Sequence, residues 1–168
     1  MTVALFSGKA RRTTAALAVA SAGLLVLSAC EKPTPLATVT VGSDSVHAEA
    51  TCYEDGKGLG EKAFTSCMTK KATETIDAST GDTLRIGVDP EVAEDGWVLF
   101  VNGRPIDAET SKKTYRTVKA EDILTQEGQP NQMGQAQKVA LKEAQLTIGQ
   151  ISGKELAGIW HFKVKRAS

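Results

Sequence analysis

Histidine and cysteine are scarce in this sequence, two and three among 168 residues, and that scarcity narrows the chemistry at once. A zinc or copper centre needs several His, Cys or carboxylate ligands converging on one point. Beyond residue 30 the nitrogen and thiolate donors are His47, His161, Cys52 and Cys67. Both histidines fall in strand-like segments at positions alternating away from the apolar side chains, so both are expected at the surface. A copper set of His47, His161, Cys67 and Met68 requires Cys67 to be unpaired, and no closely spaced Cys-x-x-His cluster lies near the C-terminus. The expectation is no cofactor and no metal, with His47 and His161 as the residual candidates.

Catalytic motifs are missing too. There is no Gly-x-Ser-x-Gly elbow and no Ser-x-x-Lys with its partner motifs, and Cys52 and Cys67 lack Cys-x-x-Cys spacing. Neighbouring carboxylates such as Glu94 and Asp95 would point to opposite faces of a strand. No Gly-rich phosphate loop follows a strand. No residue nominates itself for catalysis, and the chain is expected not to be an enzyme.

Excess charge of either sign is also lacking, with 20 basic and 20 acidic residues. Three of the basic ones, Lys9, Arg11 and Arg12, stand at the N-terminus with no acidic residue beside them. An apolar run over residues 13–27 follows. That is the charged and apolar order of an export signal, and about 15 residues fall short of the roughly 20 that span a bilayer as a helix. The run ends in Leu27-Ser28-Ala29-Cys30, which resembles the bacterial lipobox. The resemblance implies that the sulfur of Cys30 is diacylated and that the chain is cut before it. Two acyl chains anchor stably where one binds only marginally. The expected location is the outer face of the cytoplasmic membrane, and Arg11-Arg12 leaves open whether export is general or twin-arginine.

Removal of residues 1–29 leaves 139 of the 168, enough for one domain. It takes away three basic residues and no acidic one, so the remaining side chains carry a net charge of −3. No basic patch points to nucleic acid. With Cys30 lipidated, Cys52 and Cys67 remain as one possible pair, and outside the cytoplasm such a pair most often forms a disulfide.

Residues 30–37 hold Pro33 and Pro35 and read as an extended tether; residues 38–168 then form a single domain. Val46, Ala48, Ala50 and Cys52 share one side of a period-2 pattern, which predicts one strand with Cys52 inward. Phe64, Cys67, Met68 and Lys71 recur at helical spacing, which predicts a short helix over 61–71. Residues 73–78 and 83–88 flank the turn formers Ser79, Thr80, Gly81 and Asp82 and read as a hairpin. The acidic run Asp89, Glu91, Glu94 and Asp95 has oxygen ligands but no calcium-loop spacing, and is expected as a solvated connection.

Residues 97–101 are apolar on both faces, which predicts a central strand. Asn102-Gly103 supplies the positive φ angles of a type I′ turn, and Pro105 confines the returning strand to an edge. Residues 113–118 read as a strand and 120–124 as a helical turn. The Gln-rich stretch 125–138 has only Met133 as a large apolar side chain and is expected as a mobile loop. Residues 139–148 have helix-forming composition but strand-like Leu146 and Ile148, and their position before a turn over 149–155 decides for a strand; a final strand over 156–165 completes the chain, with Trp160, Phe162 and Val164 facing the core.

Short strands punctuated by turns place the domain in the mainly β class, as an immunoglobulin-like antiparallel β-sandwich with one short helix. Cys52 and Cys67 are too close in sequence to bridge its two sheets in the usual way. From its signal through Cys30-Glu31-Lys32-Pro33-Thr34-Pro35 to Gly96-Trp97-Val98-Leu99-Phe100-Val101-Asn102-Gly103 and Gly158-Ile159-Trp160-His161-Phe162, the sequence resembles an uncharacterised family of actinobacterial lipoproteins. The resemblance implies location and lineage, and it brings no catalytic residues.

The expected function is therefore a lipid-anchored binding or interaction module of the cell envelope. Its partners are the membrane, through Cys30, and an envelope protein or a small ligand. A metal-binding lipoprotein and a small envelope enzyme are the alternatives. Polar loops on a rigid scaffold are where recognition residues concentrate. The candidates are Asp89, Glu91, Glu94 and Asp95 in the acidic run, and Gln129, Gln132 and Met133 in the Gln-rich one.

Overall fold

The computed structural model describes residues 33–106, 109–130 and 136–167, and the compact unit that carries the fold runs from Thr34 to Ser168. The signal segment, Cys30, Gln132 and Met133 lie outside the described residues.

The first sheet is built from period-2 segments. Strands β1 (Leu36–Val41), β2 (Asp44–Glu49), β5 (Thr83–Val88) and β8 (Tyr115–Lys119) are ordered β2-β1-β5-β8, all antiparallel. Ala37, Val39 and Val41 pair with Val88, Ile86 and Leu84 across β1 and β5, and all six are buried. The threonines between them face away. This alternation lets one face of the sheet bury its side chains while the other stays wet.

The second, larger sheet is centred on two long strands, β11 (Glu143–Ser152) and β12 (Glu155–Arg166). Its order is β3-β12-β11-β6-β7, with β3 at Cys52–Tyr53, β6 at Trp97–Val101 and β7 at Arg104–Pro105. Strand β4 (Glu74–Ala78) runs parallel to the C-terminal half of β12. A separate pair, β9 (Thr125–Pro130) with β10 (Ala136–Ala140), follows a short helix, α3 (Ala120–Leu124). Ala37, Val39 and Ile86 of the first sheet share one core cluster with Leu99, Leu146, Ile148, Trp160 and Phe162 of the second. Ile123 and Leu124 of α3, and Val92 and Ala93 of α2 (Pro90–Asp95), close its ends.

Several expected elements differ. The predicted strand through 46–52 is two strands, because the chain leaves the first sheet after Glu49 and Cys52 pairs with Ile159 in the second. The predicted hairpin of β4 and β5 is a crossover. The turn forms, with Asp82 accepting the Ser79 amide at 2.7 Å, but its two arms enter different sheets, so that Ile76 and Leu84 reach one core from each. The stretch expected as a loop over 125–138 holds β9 and the start of β10, whose backbone ladder pairs Gln126 with Val139. Backbone hydrogen bonds, which need no apolar side chain, pair its described residues, and residues 131–135 lie outside the described ones.

Other expectations are met in place. Asn102 and Gly103 take φ of 49° and 79° and join β6 to the edge strand β7, which carries Pro105. The final turn is shorter than expected, confined to Gly153 and Lys154.

Candidate functional site

The face of the larger sheet turned away from the core carries Ile159, Leu156 and Phe100 beside the polar Gln145, Thr147 and His161, and a helix packs on part of it. Helix α1 (Gly60–Met68) is tied to β3 by the Cys52–Cys67 disulfide, with Cα atoms 6.2 Å apart. Leu59 and Cys67 pack on Ile159, with Leu156 and Met68 beside them. Leu156 reaches this rear face because β12 has an extra residue there: Gln150 opposes Gly158 while Ile151 opposes Leu156. Such a bulge reverses the side to which the following residues point.

His161 lies beneath the C-terminal end of α1 with 1% of its surface exposed, which corrects the expectation of a surface histidine. The alternation was right, but α1 covers the face it points to. Its Nε2 donates to the Cys67 carbonyl at 2.9 Å. A carbonyl can only accept, so the proton sits on Nε2 and Nδ1 is left as the acceptor. Thr147 Oγ1 stands 2.8 Å from Nδ1, and Gln145 Nε2 stands 3.1 Å from it while donating to the Lys70 carbonyl. Burial lowers the His161 pKa, against the hydrogen bond to Cys67, and the Lys70 charge lowers it further.

A depressed histidine pKa carries a definite sign. Above about pH 6.5 the imidazole is neutral in both folded and unfolded chains, and the stability it contributes is fully present. As pH falls below that value the unfolded chain takes up a proton that the folded chain refuses, so stability is lost at up to about 1.4 kcal/mol per pH unit, until the folded pKa is passed. Urea unfolding from about pH 7.5 down to about pH 5 is expected to show a larger loss for the wild type than for His161→Gln. Parallel pH profiles for the two proteins reject this account.

Beyond the edge of α1 the rear face is open. A groove of about 460 Å³ lies there, walled by Leu59 and Phe64 on one side, Phe100 and Ile151 on the other, and Leu156 between. That volume lies within the range of roughly 300–1,000 Å³ typical of small-ligand sites. Gly149 lies beneath it, and a Cβ there would come within 2.9 Å of Leu156 and 3.3 Å of Phe100, so a larger residue would have to displace these lining side chains. Phe64, 37% exposed, stands on the helix side of the opening. Glu61, Lys154 and Glu155 form the rim.

The residues named from the sequence are dispersed. Cys52 and Cys67 form the expected disulfide, which removes Cys67 from the copper set. His47 is exposed on β2, on the other sheet from His161, and no group of three metal-ligating side chains occurs among the described residues. The acidic run is helix α2 rather than a loop. Pro90 starts it, as proline readily does at a first helical position. Asp89 Oδ2 accepts the Leu36 amide at 2.8 Å, and Asp95 Oδ2 accepts Gln150 Nε2 at 2.7 Å, so two of its carboxylates hold the fold together. Glu91 and Glu94 lie on the same helix, and Gln129 is in β9. Sequence reasoning missed the groove. Its one local signal was the second apolar face of β6, on which Phe100 stands.

No protein-family model, curated protein or solved structure matches this chain.

Proposed function

We propose that the chain is a lipid-anchored lipoprotein of the cell envelope whose domain, an immunoglobulin-like β-sandwich, binds a small apolar ligand without making or breaking a bond. The groove on the rear sheet face carries this reading: it is concave, apolar in its walls and of small-ligand size. The disulfide at Cys52–Cys67 supports an oxidising compartment. The sandwich reading draws on two sheets that contribute to one core cluster and on a chain that crosses between them at 50–51 and 79–82. Anchoring rests on Leu27-Ser28-Ala29-Cys30 and on the resemblance to actinobacterial lipoproteins.

The anchor is tested by Cys30→Ala. The variant is expected to lose processing before residue 30 and the acyl mass on that residue, both read by mass spectrometry of the protein recovered from its native membranes. An N-terminus and mass identical in treatment to the wild type, with no acyl group on either, overturns the lipoprotein reading.

A further inference from the structure

The rim of the groove carries charge of both signs. Lys154 stands in the β11–β12 turn next to Glu155, and Glu61 stands across the opening in the first turn of α1. Glu155 is exposed, and its side chain lies over Gly58, where an added Cβ would meet it. None of the three forms an ion pair among the described residues. Behind this rim the walls are hydrocarbon.

We infer that the groove takes a single-chain zwitterionic amphiphile as a monomer, its aliphatic tail against Phe100, Ile151 and Leu156 and its phospho-ammonium head at the rim. The ammonium faces Glu61 and Glu155, and the phosphate faces Lys154. A fatty-acid carboxylate would meet two like charges at the opening, and a purely cationic head would leave Lys154 unmatched and repelled. A protein partner would need apolar surface around the groove as well as within it, because a standard interface buries about 800 Å² on each side. The exposed large apolar side chains among the described residues are Leu36, Phe64, Tyr115 and Val139, and of these only Phe64 borders the groove.

The identification rests on the proposed binding function and deepens it. The entering chain is fastened on the core face of the larger sheet, where Trp160 Nε1 donates to the Pro35 carbonyl at 2.8 Å, and the groove opens on the opposite face of that sheet. Two residues, Glu31 and Lys32, separate Pro33 from the proposed lipidation site at Cys30, so three steps of at most about 3.6 Å each tie the domain to the anchor. A membrane amphiphile leaving the bilayer is thus the nearest source of ligand.

Full-length protein, purified from membranes into nanodiscs, is photolabelled with a lysophosphatidylcholine that carries a diazirine in its tail. Label is expected on the peptides holding Phe64, Phe100 and Ile151. Dodecylphosphocholine below its micelle concentration should compete at least ten-fold better than dodecanoate or dodecyltrimethylammonium. Glu61→Gln combined with Glu155→Gln should remove that preference while tail labelling persists. Ile151→Lys should abolish groove labelling with an unchanged circular dichroism spectrum; should that variant misfold, Phe64→Ala should weaken labelling several-fold. Equal competition by all three heads overturns the inference and leaves the groove as an apolar ligand site. Absence of groove label with any tail overturns both, and label that requires intact vesicles replaces a bound monomer with a docked surface.

Discussion

Trp160→Ala is expected to destabilise the domain by about 3–5 kcal/mol, the range for deleting a buried indole. The ring is fully buried and sits directly above Gly158, where a Cβ would come within 2.6 Å of it. Tyr53 of β3 approaches it tilted, with ring centroids 6.4 Å apart. Its Nε1 donates to the Pro35 carbonyl, so the indole also fastens the incoming chain to the sheet. Trp160→Phe separates the two roles. Phenylalanine refills most of the space but leaves the Pro35 carbonyl without its donor, at a cost of about 1–3 kcal/mol if it stays buried. Urea unfolding read by circular dichroism measures both variants. A loss of under about 1 kcal/mol for the alanine variant shows that the core does not depend on this ring.

How far the fold was legible depended on how locally each feature is encoded. Val39, Leu84 and Phe162 lie in alternating runs and Leu99 in a short run apolar throughout, and both patterns are local properties of the chain. Asn102-Gly103 is equally local, because two positive φ angles need those residue types. The disulfide followed from a count and a compartment. The β4–β5 crossover was not legible: Ser79 to Asp82 specify a turn, yet turn chemistry says nothing about which strand each arm will pair with. His161 was misplaced for a related reason, since its side of β12 is dry only because α1, some 94 residues earlier in the chain, folds over it. The groove needs three distant segments and one bulge to exist. Glu155 and Lys154 at its rim were read as turn residues, and nothing adjacent to them in sequence marks them as anything else.

Removal of the Cys52–Cys67 disulfide is expected to cost about 3 kcal/mol, the chain-entropy value for a loop of about 15 residues, and the separation here is 15. The loss should fall mainly on α1. That helix is nine residues long, its N-cap offers no side-chain hydrogen bond, and helices this short are unstable in water without tertiary support. Its packing is limited to the small cluster around Leu59, Cys67 and Ile159, which is distinct from the main core. Cys52→Ala combined with Cys67→Ala should therefore speed amide hydrogen exchange across residues 60–68 far more than in β1, β5 or β11. It should also uncover His161, whose pKa, read by NMR titration, should rise toward the ordinary value as its burial is relieved. Because α1 forms one wall of the groove, labelling at Phe100 and Ile151 should fall with it. Uniform acceleration of exchange in both sheets would mean that the bridge stabilises the whole domain rather than this helix. Unchanged exchange in residues 60–68 would mean that packing on Ile159 holds α1 unaided.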